Sequence, residues 1–172
     1  MSLLENLNLP WICFLFLLSF QPPPYPLPPQ LSRPDIIKDI KGIPWTGTLP
    51  SELGRVTNLR WLEIDGAQFD DGEMNLSTIT TIPLEFSSLS KLNTLRITNS
   101  NLGGTLHPSL FVNLTNLSEL VLSGNNLTGT IPSEIGLLTN LRRLNLKRNL
   151  FTGIPLLPTE LQQLSLLSQV YI

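Results

Sequence analysis

The sequence predicts an α/β solenoid, a coil of about five repeats with a short parallel sheet on its concave face. Three observations predict it. From residue 56 onward apolar residues recur in one frame, L-x-x-L-x-x-L-x-L-x-x-N-x-L. Inside each copy a short run alternates apolar and polar residues, the period-2 pattern of a strand. Only 14% of the 172 residues are charged, against about 25% in ordinary soluble domains, while roughly one in five is leucine.

The clearest copies are "LTNLSELVLSGNNL" from Leu114 and "LTNLRRLNLKRNLF" from Leu138. Others are "LSKLNTLRITNSNL" from Leu89 and "VTNLRWLEIDGAQF" from Val56, with a last partial copy, "LQQLSLLSQVY", placed from Leu161. The spacing is about 25 residues, except that roughly eight or nine residues are inserted between the first two copies. This 70–83 insertion is expected to be a loop.

No repeat can bury its apolar stripe alone, so strands of successive coils must stack. In "LSELVLSGN", Leu117, Leu120 and Leu122 are expected to point inward and Glu119, Val121 and Ser123 outward. Asn125 and Asn149 end their strands. An inward-turned carboxamide there has two donors and an acceptor oxygen for backbone groups of the next loop, so these two form a structural asparagine ladder. Ala67, Ser100 and Gln169 take the same place in weaker copies, where a less regular ladder is expected. The proline of each "TIP" or "TLP" suits an extended segment with one unneeded N–H, and Gly129 and Gly136 suit sharp turns or close approach.

A further signature is the turn G-x-[IL]-P-x-x-[IL]-G, seen as "GTLPSELG" (Gly47 to Gly54) and "GTIPSEIG" (Gly129 to Gly136), with a looser "GTLHPSLF" between them. With it, residues 40–172 resemble the leucine-rich repeat family, in the plant-type subclass used by receptor-like kinases, receptor-like proteins and related algal proteins. The resemblance implies a right-handed coil and a non-catalytic, receptor-like or signalling-associated module. Its partners would be a protein or peptide ligand and a co-receptor or membrane-bound kinase. Extracellular members carry paired cysteines that seal the first coil, whereas Cys13 is alone here. The chain stops at Ile172 inside the fifth frame without a polar cap, so a fragment of a longer product is expected.

Ahead of the repeats, Trp11 to Phe20 form an apolar block too short for the roughly 20 residues of a membrane span and suited to a signal-peptide core. The residues before it include Glu5 and no Lys or Arg, and no small-residue cleavage site follows. "QPPPYPLPPQ" is extended, because proline fixes φ and restricts its predecessor. It serves as a semi-rigid spacer or as a docking stretch for proline-binding domains. The expected organisation is an apolar leader at 1–20, a proline-rich linker at 21–39 and the repeat domain at 40–172. Secreted or membrane-associated extracellular placement follows if the leader functions. A cytoplasmic scaffold is the alternative.

Net charge is −2, without a basic footprint for nucleic acid. With one histidine, His107, neither a histidine-paired nucleophile nor a multi-histidine metal site can be assembled, so no enzyme, metal or cofactor is expected. Asp70, Asp71 and Glu73 match no calcium loop. Gly124 and Gly129 have the spacing of a phosphate-binding loop, but Thr130 and Ile131 replace its lysine and hydroxyl, leaving only glycines that serve turns.

Function is therefore sought on the outward strand positions. One column reads Trp61, Thr94, Glu119, Arg143, Gln163, the next Glu63, Arg96, Val121, Asn145, Ser165, and a third Asp65, Thr98, Ser123, Lys147, Leu167. Rungs about 4.8 Å apart would pair Glu63 with Arg96 and Glu119 with Arg143. The candidate partner-binding residues are Trp61, Glu63, Asp65, Arg96, Glu119, Arg143, Asn145, Lys147 and Arg148, with Trp61 as an aromatic anchor and the basic end facing an acidic stretch of the partner. An ordinary solvated face is the competing reading. N-x-[ST] acceptor triplets stand at Asn75, Asn113, Asn116 and Asn126.

Overall fold

The computed structural model describes residues 36–41, 49, 51–67, 80–154 and 156–172. The apolar leader, the proline run, Cys13, Asp70, Asp71, Glu73 and Asn75 lie outside the described residues.

Each of the five frame copies contributes one short strand, a further strand precedes them, and the strands stack in chain order. These are β1 (Ile36–Lys41), β2 (Trp61–Asp65), β3 (Thr94–Thr98), β4 (Glu119–Val121), β6 (Arg143–Asn145) and β8 (Gln169–Tyr171). All neighbours pair in parallel in one six-stranded sheet. β1 begins ahead of residue 40 and carries no leucine frame. It pairs with β2 through a register shift between Ile37 and Ile40, the extra residue of a β-bulge.

The inward residues form the core. Leu62, Leu95, Leu120 and Leu144 are fully buried, one above another, as are Ile64, Ile97 and Leu122. Burying such a side chain stabilises by roughly 1.5–3 kcal/mol, available only because a neighbouring coil covers each layer. On the return path the chain forms short 3-10 helices at Ser51–Arg55, Leu84–Ser88, Pro108–Leu110, Ser133–Leu137 and Thr159–Gln163. Leu53, Phe86, Leu110, Ile135 and Leu161 fill the core from that side. Pro83, Pro132 and Pro158 each stand just before a helix at φ of −60, −71 and −65, the extended entry that proline fixes. Gly136 lies where a Cβ would come within 2.6 Å of Glu160 Cβ on the next coil, so the close approach requires glycine.

Between the strands and these helices the chain forms a smaller parallel pair, β5 (Thr128–Gly129) with β7 (Leu150–Phe151), extended by a bridge from Thr105 to Thr128.

The asparagine positions close the coils. Asn125, 5% exposed, accepts from the backbone N–H of Ser100 at 3.0 Å and Leu102 at 3.2 Å, and donates to the carbonyls of Ile97 at 2.8 Å and Leu122 at 2.9 Å. One carboxamide thus satisfies backbone groups on two coils. Asn149 accepts from Leu127 N–H at 3.1 Å and donates to Leu122 and Leu146 carbonyls at 2.8 and 2.9 Å.

Two sequence expectations are corrected. β6 pairs with β8 as Arg143 with Gln169, Leu144 with Val170 and Asn145 with Tyr171, so the fifth copy starts at Leu164 and not at Leu161. Leucines at 161, 164 and 167 leave an L-x-x-L pattern intact under a shift of three, which made the register ambiguous. Gln163, Ser165 and Leu167 therefore leave the outward columns, and Gln169 begins a strand instead of occupying the ladder. Val121 is only 2% exposed although its strand position is outward, because it lies in register between Arg96 and Asn145.

Candidate partner-binding face

The sheet register brings the outward residues of β2, β3, β4 and β6 into adjacent rungs. Trp61 lies beside Thr94, Glu63 beside Arg96, Asp65 beside Thr98, and Glu119 beside Arg143. Most of the named side chains are half-buried, while Lys147 and Arg148 are exposed.

Charge runs across the face as a continuous relay. Arg96 Nη1 is 3.3 Å from Glu63 Oε1, Arg96 Nε is 4.0 Å from Glu119 Oε1, and Arg143 Nη1 donates to the same Glu119 oxygen at 3.2 Å. Both pairs expected from rung spacing form, and Arg96 links them into one row. With the side chains of Arg96 and Arg143 32% and 41% exposed, each contact contributes less than about 1 kcal/mol. The row therefore fixes side-chain positions more than it stabilises the fold.

At the first-coil end, Trp61 Nε1 donates to Glu63 Oε2 at 3.2 Å. That bond holds the indole against the face. Asp65 Oδ1 accepts from Thr98 Oγ1 at 2.5 Å and from Asn99 Nδ2 at 3.0 Å. At the other end Lys147 Nζ lies 5.0 Å and Arg143 Cζ 5.9 Å from the centroid of the Tyr171 ring, within cation–π range. Asn145 Oδ1 accepts from the Lys147 backbone N–H at 3.2 Å, so Asn145 shapes the strand end beneath the lysine. Arg148 stands past β6 with left-handed backbone, φ 56, at the rim and not on a rung.

Sequence reasoning missed Tyr171, because the misplaced fifth copy put it outside the columns. The aromatic in "SQVYI" aligned two residues beyond Gln169 would have revealed it. Arg143 was expected to be available to an acidic partner, but Glu119 already engages it, so that of the basic residues named for this face Lys147 and Arg148 are the two that form no salt bridge among the described residues.

The remaining candidates fall elsewhere. His107 Nδ1 accepts from Ser109 N–H at 3.2 Å and caps the helix that follows. Among the described residues no group of three or more His, Cys, Asp or Glu is placed to hold a metal ion, and no helix is long and apolar enough to cross a membrane. Asn113, Asn116 and Asn126 are all exposed and outside the strands of the large sheet.

Residues 90–151 match the leucine rich repeat family. Receptor-like protein 52 of Arabidopsis thaliana is 41% identical over 76 residues, covering 44% of this chain and 9% of that protein. The ectodomain of the plant membrane receptor kinase GASSHO1/SCHENGEN3 from Arabidopsis thaliana, solved in complex with Casparian strip integrity factor 2, superposes with a TM-score of 0.61 and 33% identity over 72% of this chain and 13% of that one. The ectodomain of the Arabidopsis receptor kinase HAESA, solved with an N-terminally extended IDA peptide hormone ligand, gives a TM-score of 0.58 and 29% identity over 73% of this chain and 19% of that one. The chain thus spans only a small part of the length of these proteins. Residues 90–151 thus carry the leucine rich repeat pattern, and the coil is similar to those of plant receptor ectodomains.

Proposed function

We propose that the chain is a non-catalytic recognition module, receptor-like and extracellular or membrane-associated, that binds a protein or peptide partner on the concave sheet face. One observation carries this reading: a single ordered row of side chains crosses the sheet from Trp61 through Glu63, Arg96, Glu119 and Arg143 to the Lys147–Tyr171 pair. A pre-positioned row loses little side-chain freedom on binding, which favours affinity. An aromatic anchor at one end and exposed cations at the other suit an extended partner with an acidic end over Lys147 and Arg148.

That HAESA is solved with a peptide hormone supports peptides as the partner class. Signalling output would then come from a co-receptor or membrane-bound kinase. The apolar 1–20 stretch would provide entry to the secretory pathway, followed by the 21–39 linker and the repeat domain.

Selection of displayed random peptides on the folded chain tests this. Enriched peptides should carry acidic residues toward one end and lose tenfold or more in affinity, about 1.4 kcal/mol, for Lys147→Glu or Trp61→Ala. Peptides that bind the parent chain and both variants equally would place recognition elsewhere.

A further inference from the structure

The three described acceptor triplets differ in what the fold asks of their asparagines. Asn116 Nδ2 donates to the Ser90 carbonyl of the preceding coil at 2.8 Å. Asn140, at the same frame position one copy later, donates to the Thr115 carbonyl at 2.8 Å. Yet Asn140 is followed by Leu141 and Arg142 and forms no acceptor triplet. The amide at this position is therefore a brace between coils, present whether or not a hydroxyl residue follows it.

Asn113 and Asn126 stand in a different situation. Both are exposed, and no hydrogen bond engages either side chain among the described residues. Their frame positions do not require an amide, since the next copy places Leu137 and Leu150 there. Both are followed at the second position by threonine, Thr115 and Thr128.

We propose that Asn113 and Asn126 are N-glycan acceptors and that Asn116 stays bare in the folded protein because its amide braces two coils. The proposal rests on the secretory reading given above. In the transfer, Nδ2 forms a bond to the anomeric carbon of a lipid-linked oligosaccharide. The bond from that carbon to the lipid pyrophosphate oxygen breaks, the pyrophosphate leaves with the lipid, and Nδ2 gives up one of its two protons to a base. At Asn113 and Asn126 the fold loses nothing by this. At Asn116 one N–H remains where two stood, and a sugar is set against the Ser90 carbonyl, so modified chains fold less well.

The consequence for recognition is directional. Neither acceptor lies on a strand of the large sheet, and Asn126 sits between β4 and β5, so glycans cover the flank while the concave face stays open.

The test expresses the full chain behind a foreign cleavable secretory leader in eukaryotic cells and maps glycopeptides of the secreted protein. The expected result is sugar at Asn113 and Asn126 and none at Asn116. Asn113→Gln and Asn126→Gln should each lose one glycan, while Asn116→Gln should lose none and melt at a lower temperature. A glycan on Asn116 in the folded secreted protein, or bare side chains at both Asn113 and Asn126, overturns the proposal, and mapping the unsubstituted chain requires no variant to fold. A parallel arm uses the chain's own N-terminus. Occupancy with the foreign leader and none with the native one would overturn the secretory reading and leave the site assignment standing.

Discussion

Two neighbouring junctions of the coil are closed by different chemistry. Between β3 and β4, the buried Asn125 carboxamide accepts from two backbone N–H groups and donates to carbonyls on both coils. Between β2 and β3 the corresponding residue is Ser100, whose hydroxyl accepts from Ala67 N–H at 3.3 Å and donates to the Thr98 carbonyl at 2.6 Å. Ala67 itself has no polar side-chain atom to offer the coil before it. Apolar packing is the same at both junctions, with Leu62, Leu95 and Leu120 equally buried.

The difference teaches that apolar burial stacks the coils while polar closure sets how firmly each one is held. An unsatisfied buried backbone group costs about 1–3 kcal/mol, so the number of groups satisfied by one side chain matters more than its size. On the Ala67 side, Asp65 adds a tie through Thr98 and Asn99, but half-buried on the face and open to competition from water. The face is thus graded. Trp61, Glu63 and Asp65 border the weaker junction, and Glu119 and Val121 border the firmer one. A partner bound as proposed would meet an adaptable end and a rigid end.

The sharpest way to break this contrast is Asn125→Ala, which leaves the Ser100 and Leu102 N–H groups and the Ile97 carbonyl without that partner, while the Leu122 carbonyl keeps Asn149, and should cost about 3 kcal/mol even after relaxation. Urea unfolding measures it, and a cost no larger than that of Ser100→Ala would remove the distinction. Ser100→Ala itself should cost about 1 kcal/mol, because one long bond and one local bond are lost. The smallest effect has the opposite sign. Arg148 holds a left-handed backbone at φ 56 where the equivalent positions carry Gly66 and Gly124 at φ 69 and 71, so Arg148→Gly should stabilise by about 0.5–1 kcal/mol. A lower melting temperature for that variant would show that the Arg148 side chain does more for the fold than its backbone costs.

Much of this was legible in the sequence, and the reasons differ by residue. The leucine frame dictates the strands because only inward positions two apart can be buried in stacked coils. Glu63 with Arg96 and Glu119 with Arg143 follow once the register is known, since equal frame positions become neighbours. The fifth copy was misread because leucines three apart satisfy the frame in two registers, and only backbone pairing with β6 decides between them. β1 was invisible because its isoleucines follow no leucine frame. The left-handed position shared by Gly66, Asn99, Gly124 and Arg148 could not be anticipated at Arg148, since arginine carries no preference for it. The bridge of Arg96 to both Glu63 and Glu119 needed side-chain geometry that no spacing supplies.

Native-state hydrogen exchange tests the graded coil most directly. Ser100 and Leu102 amides donate to the buried Asn125 carboxamide, and the Ala67 amide donates to the Ser100 hydroxyl. The account predicts exchange at Ala67 about tenfold faster or more than at Ser100 and Leu102, with Asn125→Ala removing that gap. Equal protection at all three amides in the unsubstituted chain would contradict it.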